Sequence, residues 1–252
     1  MNRRVVVTGI GVVSPIGIGK EEFTEHLFNG YNAADRIRKF DPTHYRTQIA
    51  CEIKEFDPMK YGINAKEARE MDLFSQYAVA ASAMAIKDAH YPLRDRNDDV
   101  AIIIGSGIGG IGTLERAHSK LMADGLKGPI KIWPRLAKNI MPNAPAGYVS
   151  RMYGITGRSK AVSTACATGA DAIIDGVEEI ELDHYLAVIA GSSEAPITPI
   201  SIGTFGNMRA MPHSFNDKPR CASRPFDKKR EGFVMGEGAG VVILEYFQTE
   251  NC

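Results

Sequence analysis

Five short apolar runs, at 3–13, 101–105, 161–166, 185–191 and 240–247, punctuate the sequence and limit the folds open to it. Each is dense in Val or Ile, and short enough to read as a strand buried on both faces. Longer helical patterns lie between them. Residues 71–90 are rich in Ala, Met and Leu with no internal Gly or Pro, and 112–124 close on Gly125, a suitable helix C-terminus. Residues 168–182 set Ile173, Ile174, Val177 and Ile180 on one face and Glu178, Glu179 and Glu181 elsewhere. The alternation predicts an α/β fold with a mixed, mostly buried five-stranded sheet flanked by helices. Segments 30–64 and 212–231 lack a period and read as long surface excursions, which usually carry function or face partners.

Charge narrows the function classes. Thirty Lys plus Arg balance thirty Asp plus Glu over 252 residues. That balance argues against a general nucleic-acid or membrane-surface binder. No stretch reaches the ~18 apolar residues of a membrane span, and the opening residues are too short and Gly-rich for a secretory signal. Cys51, Cys166, Cys221 and Cys252 are widely spaced without a C-x-x-C pair, so neither a zinc site nor a disulfide framework is expected. Reduced thiols in the cytoplasm are the simplest reading. The six histidines form no H-x-x-x-H pair, and no metal site is expected.

Three motifs bear on chemistry. Residues 105–110, GSGIGG, satisfy G-x-G-x-x-G between a strand and a helix, the context of a dinucleotide site. No acidic residue follows at the end of a clear next strand, and a tight turn that admits a close backbone approach is the simpler account. Residues 191–195, GSSEA, approach the nucleophile elbow, but Pro196 and Pro199 interrupt the helix it needs, and a strand-end turn is preferred. The third motif is Cys166, where a β-branched run ends and an amphipathic pattern starts with small residues. A thiol at a helix N-terminus meets free N–H groups and the helix dipole, which favour the thiolate. The same amides can donate to an oxyanion forming on a thioester carbonyl. A buried, inert cysteine fits the same local pattern, and on local chemistry alone the two readings stand level.

Residues 157–173 read G-x-x-x-x-V-x-x-A-C-A-T-G-x-x-x-I. This resembles the active-site signature of the β-ketoacyl-acyl carrier protein synthases, condensing enzymes of the thiolase-like superfamily. Residues 4–17 (RVVVTGIGVVSPIG), 71–77 (MDLFSQY), 105–110, 223–227 (SRPFD) and 230–240 (REGFVMGEGAG) are similar to further segments of that family, in the same order. The residues around Cys166 look closer to the discrete fatty-acid type than to the modular polyketide type.

The resemblance implies the N-terminal half of a five-layered αβαβα fold, over 1–252, with the C-terminal half absent. It implies a homodimer that pairs through the strand before the cysteine. It also implies a ping-pong Claisen condensation in fatty acid biosynthesis. Cys166 would take the acyl group from carrier-protein phosphopantetheine, and the carbanion of malonyl-carrier protein would then attack it. No separate cofactor is expected, because the substrates ride on phosphopantetheine. By the same implication Gly107 and Ile108 form the acyl-pocket turn, with Ile108 as a gate, and Phe205 is an aromatic of that pocket. Lys66, Arg69, Lys127 and Arg209 match basic residues that face the acyl carrier protein, and they read equally well as solvated surface charges. Glu70 departs from the pattern, standing where another basic residue is often found. The family's two catalytic histidines belong to its second half, and no motif here supplies them. Two further readings therefore stay open: a non-catalytic dimerising or carrier-binding module, and an NAD-binding oxidoreductase built on the Gly105 turn. The half-fold reading also predicts an apolar face left open along 168–182.

Overall fold

A computed structural model of the chain describes residues 4–93 and 97–247; Arg3, in the first apolar run, and Cys252 lie outside them. In order, the elements are β1 (Arg4–Ser14), β2 (Gly17–Ile18), α1 (Lys20–Phe28), β3 (Asp35–Arg36), β4 (Ile49–Ala50), α2 (Ala65–Glu70), α3 (Leu73–Ala89) and β5 (Val100–Gly105). They continue with α4 (Ile111–Ala123), α5 (Leu136–Ile140), α6 (Ala144–Tyr153), β6 (Ser159–Lys160), α7 (Thr168–Glu181), β7 (Ala187–Glu194), α8 (Pro199–Asn207) and β8 (Gly238–Phe247). One six-stranded sheet runs in the order β2-β1-β8-β7-β5-β6, and β3 and β4 form a separate pair. The large sheet is mixed: β5 is parallel to β6 and β7, while β8 is antiparallel to both β7 and β1.

The sheet is covered by α3 on one face and α7 on the other. Asp72 caps α3 by accepting from the Phe74 N–H at 3.2 Å, which satisfies a donor the helix cannot use internally. The alanines of α3 let its backbone press onto β1. A Cβ on Gly11 would lie 1.8 Å from the Ala81 carbonyl oxygen, so only glycine permits this approach. Phe74 and Tyr77 then fill the main core with Ile102, Ile104, Ile189 and Ile243. On the other face, Ala172 and Ile180 of α7 pack on Ile103, Val188 and Leu244.

The α7 face is only partly covered. Ile174 is 54% exposed and Leu182, just past α7, 65%. Val7 (52%) and Ile10 (43%) of β1 are also open, and their cross-strand partners Leu244 and Val242 belong to the α7 cluster. The expected open apolar face is present.

Three features differ from the sequence reading. The large sheet has six strands rather than five, because the two-residue β2 pairs with the end of β1. The run at 161–166 leaves the ladder after Lys160. The β6 strand is an edge with β5 as its one neighbour, and β5 itself stops at Gly105. Nor is segment 30–64 a surface excursion: it contributes buried Ile37, Ile49, Ala50, Ile53 and Ile63. It is tied to the start of β8 by Glu237, which accepts from the Ile53 N–H at 2.9 Å and pairs with Lys39. Ala222, in the second excursion, is fully buried too.

Candidate active site

Cys166 sits in a 3-10 turn, Ala165–Ala167, that feeds directly into α7. Its side chain is exposed, so the inert buried alternative does not hold. The turn is tight. Ala165 takes φ 54°, a left-handed conformation uncommon for a residue with a Cβ. Thr168 holds the chain there: its hydroxyl donates to the Ala165 carbonyl at 2.7 Å and accepts from the Thr164 N–H at 3.0 Å. Thr168 is itself buried, whereas Ser163, Thr164, Ala165, Ala167 and Ala170 are exposed. The chain thus builds one firm wall behind an open thiol, at the N-terminal end of a 14-residue helix.

The glycine turn after β5 forms the neighbouring part of that wall. A Cβ on Gly107 would meet the Ala165 carbonyl oxygen at 3.3 Å and Ala165 Cα at 3.4 Å, so the Gly107 and Cys166 turns touch. Ile108 follows, 39% exposed beside them. The Gly107 N–H donates to Glu194 at the end of β7, and the Ser106 hydroxyl donates to the same carboxylate at 3.1 Å. Burial pushes the Glu194 carboxyl above the ordinary glutamate range, while the Gly107 N–H, the Ser106 hydroxyl and the Ile108 N–H pull it back. The Gly107 N–H and Ser106 hydroxyl of the G-x-G-x-x-G turn thus face a carboxylate of the chain itself.

Other sequence candidates fall at different places. Phe205 lies on α8, with its ring edge-on to Phe233 at 5.7 Å and packed against the cluster of Ile197, Ile202 and Met211. Ser193, the elbow candidate, is buried and donates to the carbonyls of Phe74 (2.6 Å) and Gly238 (3.2 Å). Lys66 and Arg69 share α2, Lys127 lies in a 3-10 turn after α4, and Arg209 follows α8; all four are exposed. Arg69 also lines a cavity of about 240 Å³ with Arg116, Lys120 and Lys131 above an apolar floor that includes Trp133. Those three cations have no local motif and were not singled out from the sequence. Glu70, the departure from the basic pattern, is paired with Arg135. Glu194, which holds the Gly107 turn, was not singled out from the sequence. Its one sequence signal was a carboxylate closing a strand that begins with an apolar run.

Among the described residues, no three or more His, Cys, Asp or Glu side chains gather as a metal-binding group. Among the same residues, no helix is long and apolar enough to cross a membrane.

Known proteins are similar to this chain in sequence and fold. The chain is 41% identical over 249 residues to the 3-oxoacyl-[acyl-carrier-protein] synthase 2 of Staphylococcus aureus (strain N315), across 98% of this chain and 59% of that protein. The ishigamide ketosynthase/chain length factor superposes with a TM-score of 0.87 at 31% identity, over 98% of this chain and 59% of that one. A type II polyketide ketosynthase, solved in complex with its acyl-carrier protein and bound to a hexaketide, superposes at 0.84 and 28% identity with the same coverage. The chain thus spans somewhat under two thirds of the length of these relatives. A family model, that of the β-ketoacyl synthase N-terminal domain, matches residues 2–249. With its mixed sheet, its Cys166 turn at the head of α7 and its glycine turn alongside, the chain belongs to the β-ketoacyl synthase family.

Proposed function

We propose that this chain carries the acyl-accepting part of a decarboxylative condensing enzyme of fatty acid biosynthesis, with Cys166 as the nucleophile. The observation that carries this reading is the exposed thiol at the head of α7, braced by Thr168 and the Gly107 turn. The thiolate attacks the carbonyl carbon of an acyl thioester carried on phosphopantetheine, forming a new C–S bond and a tetrahedral oxyanion. Free N–H groups at the helix start stabilise that oxyanion. Collapse expels the phosphopantetheine thiolate, which takes up the proton lost by Cys166. The acyl group then resides on Cys166 until a carbanion, formed by loss of carbon dioxide from a malonyl thioester, displaces the cysteine thiolate.

The second half-reaction needs donors to the enolate. The family resemblance places the two histidines that serve this step in the second half of the fold, and none of the six histidines here stands in an equivalent motif. We therefore assign acyl transfer to this chain and the decarboxylation machinery to the part of the fold its longer relatives possess. The acyl donor is an acyl carrier protein, drawn to Lys66, Arg69, Lys127 and Arg209. Ile108 and Phe205 line the path of the acyl tail. A second copy of the chain pairs along the free edge of β6, whose ladder is satisfied on one side by β5 alone.

The test is intact mass after mixing with acyl-carrier protein. A gain of one acyl group supports the reading. No gain, with the chain still binding carrier protein, favours the non-catalytic docking module, for which the open apolar α7 face is the specific argument. Rapid malonyl decarboxylation by this chain alone would contradict the division of labour.

A further inference from the structure

We propose that Glu194 is the positioning residue of the acyl pocket: its carboxylate clamps the Ser106–Gly109 turn against the Cys166 turn and so fixes Ile108, which sets the acyl length the thiol accepts. The inference rests on the acyl-transfer reading above.

The geometry begins with strand parity. β5 and β7 are parallel neighbours with Gly105 beside Ser192, so Glu194 stands two residues past that pair and one side-chain length from the turn. Ser192 and Glu194 share a face. A Cβ on Gly169 of α7 would lie 2.7 Å from Ser192 Oγ, which identifies that face as the cysteine side. Ser193 points the other way, to the Phe74 carbonyl under α3. Alternate residues at the end of β7 therefore anchor opposite layers, and Glu194 anchors the layer that reacts.

The turn is shaped for an anion. The Gly107 amide and the Ser106 hydroxyl converge on one carboxylate, with the Ile108 amide beside them. Ser106 is fully buried, and its Oγ also accepts from the Gly109 N–H at 2.9 Å, so one hydroxyl links the far side of the turn to Glu194. Among the described residues no cation pairs with Glu194. A half-buried carboxylate without a countercharge is costly, and here the turn's donors alone offset that cost. The turn it holds is the one in contact with Ala165, next to the nucleophile.

Two measurements on the full chain test this. Hydrogen exchange of the 105–110 amides reads the clamp. Rates of Cys166 acylation by butyryl and myristoyl thioesters read its consequence, with iodoacetamide alkylation of Cys166 as a probe that needs no acyl pocket. Glu194→Gln keeps the shape and leaves at least one donor unpaired. It should speed exchange of the turn at least about tenfold. It should also change the butyryl-to-myristoyl ratio by about fivefold or more, with alkylation within about twofold of the parent. Ser106→Ala should act in the same direction and less strongly. Unchanged exchange overturns the clamp, and faster exchange with an unchanged ratio overturns the specificity role. If the parent chain takes up neither acyl group yet is alkylated normally, the acyl-transfer reading falls and the specificity role with it, while exchange still decides the clamp.

Discussion

The two faces of the large sheet are finished to different degrees. Under α3 the packing is closed: Phe74 and Tyr77 are buried, and Gly11 brings the strand within contact of the helix backbone. Under α7 the packing stops short, leaving Ile174 and Val7 in solvent, and the Cys166 turn at the head of the same helix is exposed too. The closed core therefore lies on the α3 side, and the exposed Cys166 turn stands at the head of the helix on the other side. On the acyl-transfer reading proposed above, the exposed Cys166 thiol at the head of α7 is open to a carrier-borne thioester, and the apolar face along α7 is a separate feature. The same face is an apolar patch of the kind that marks a partner surface.

The largest expected effect contrasts the faces directly. Phe74→Ala should cost about 3–5 kcal/mol, because it empties a fully buried site. For a chain of this size that lowers Tm by roughly 10 °C. Ile174→Ser, an equally apolar position on the open face, should shift stability by no more than about 0.5 kcal/mol. Thermal melts of the two variants check the contrast, and equal losses would erase it.

A hydrophobic-dye assay sharpens the same point. The parent chain should enhance dye fluorescence, and Ile174→Glu should remove roughly half of that signal by placing a charge in the patch. A parent chain that leaves the dye dark would mean that this face is covered in solution.

The basic residues give a smaller effect. Lys66→Glu and Arg209→Glu should each slow acyl transfer from carrier protein by roughly three- to tenfold, and the difference should shrink at high salt. Equal rates with reversed charges would return these residues to the solvated-surface reading.

The smallest effect concerns pH. Hydrogen bonds from the Ser214 backbone N–H first, then the Ser214 side chain and the His213 N–H, hold the Glu231 carboxyl down to about 2 from an ordinary 4.5. A depressed carboxyl contributes stability that is complete above 4.5 and lost as the pH falls toward 2. Glu231→Gln should therefore lower Tm by no more than ~2 °C at neutral pH, and the gap should close in acid. A gap that widens in acid would reverse the sign.

How much of this was legible in the sequence follows from the range of the forces involved. The α3 pattern and the buried β5 run were readable, because their signals are local and periodic. So was the Cys166 turn, where a strand-like run, a thiol and a helix start are consecutive in the chain. The core role of Ile37, Ile49 and Ile63 was not, since these residues follow no period and are buried by long-range packing. Glu194 was equally opaque. Its partner Gly107 is 87 residues away, and only the parallel pairing of β5 with β7 brings them together. The same holds for Arg116, Lys120 and Lys131, which reach the cavity beside Arg69 only through the fold.

The exposed Cys166 thiol at the head of α7 is the proposed acyl acceptor, and site-mapped acylation tests this most directly. After incubation with acyl-carrier protein, digestion and mass analysis should find one acyl group, on the peptide containing Cys166. Cys51, whose thiol burial pushes up, and the exposed Cys221 should remain free. The adduct should vanish in Cys166→Ala. An adduct on Cys221, or one that persists without the Cys166 thiol, would contradict the account.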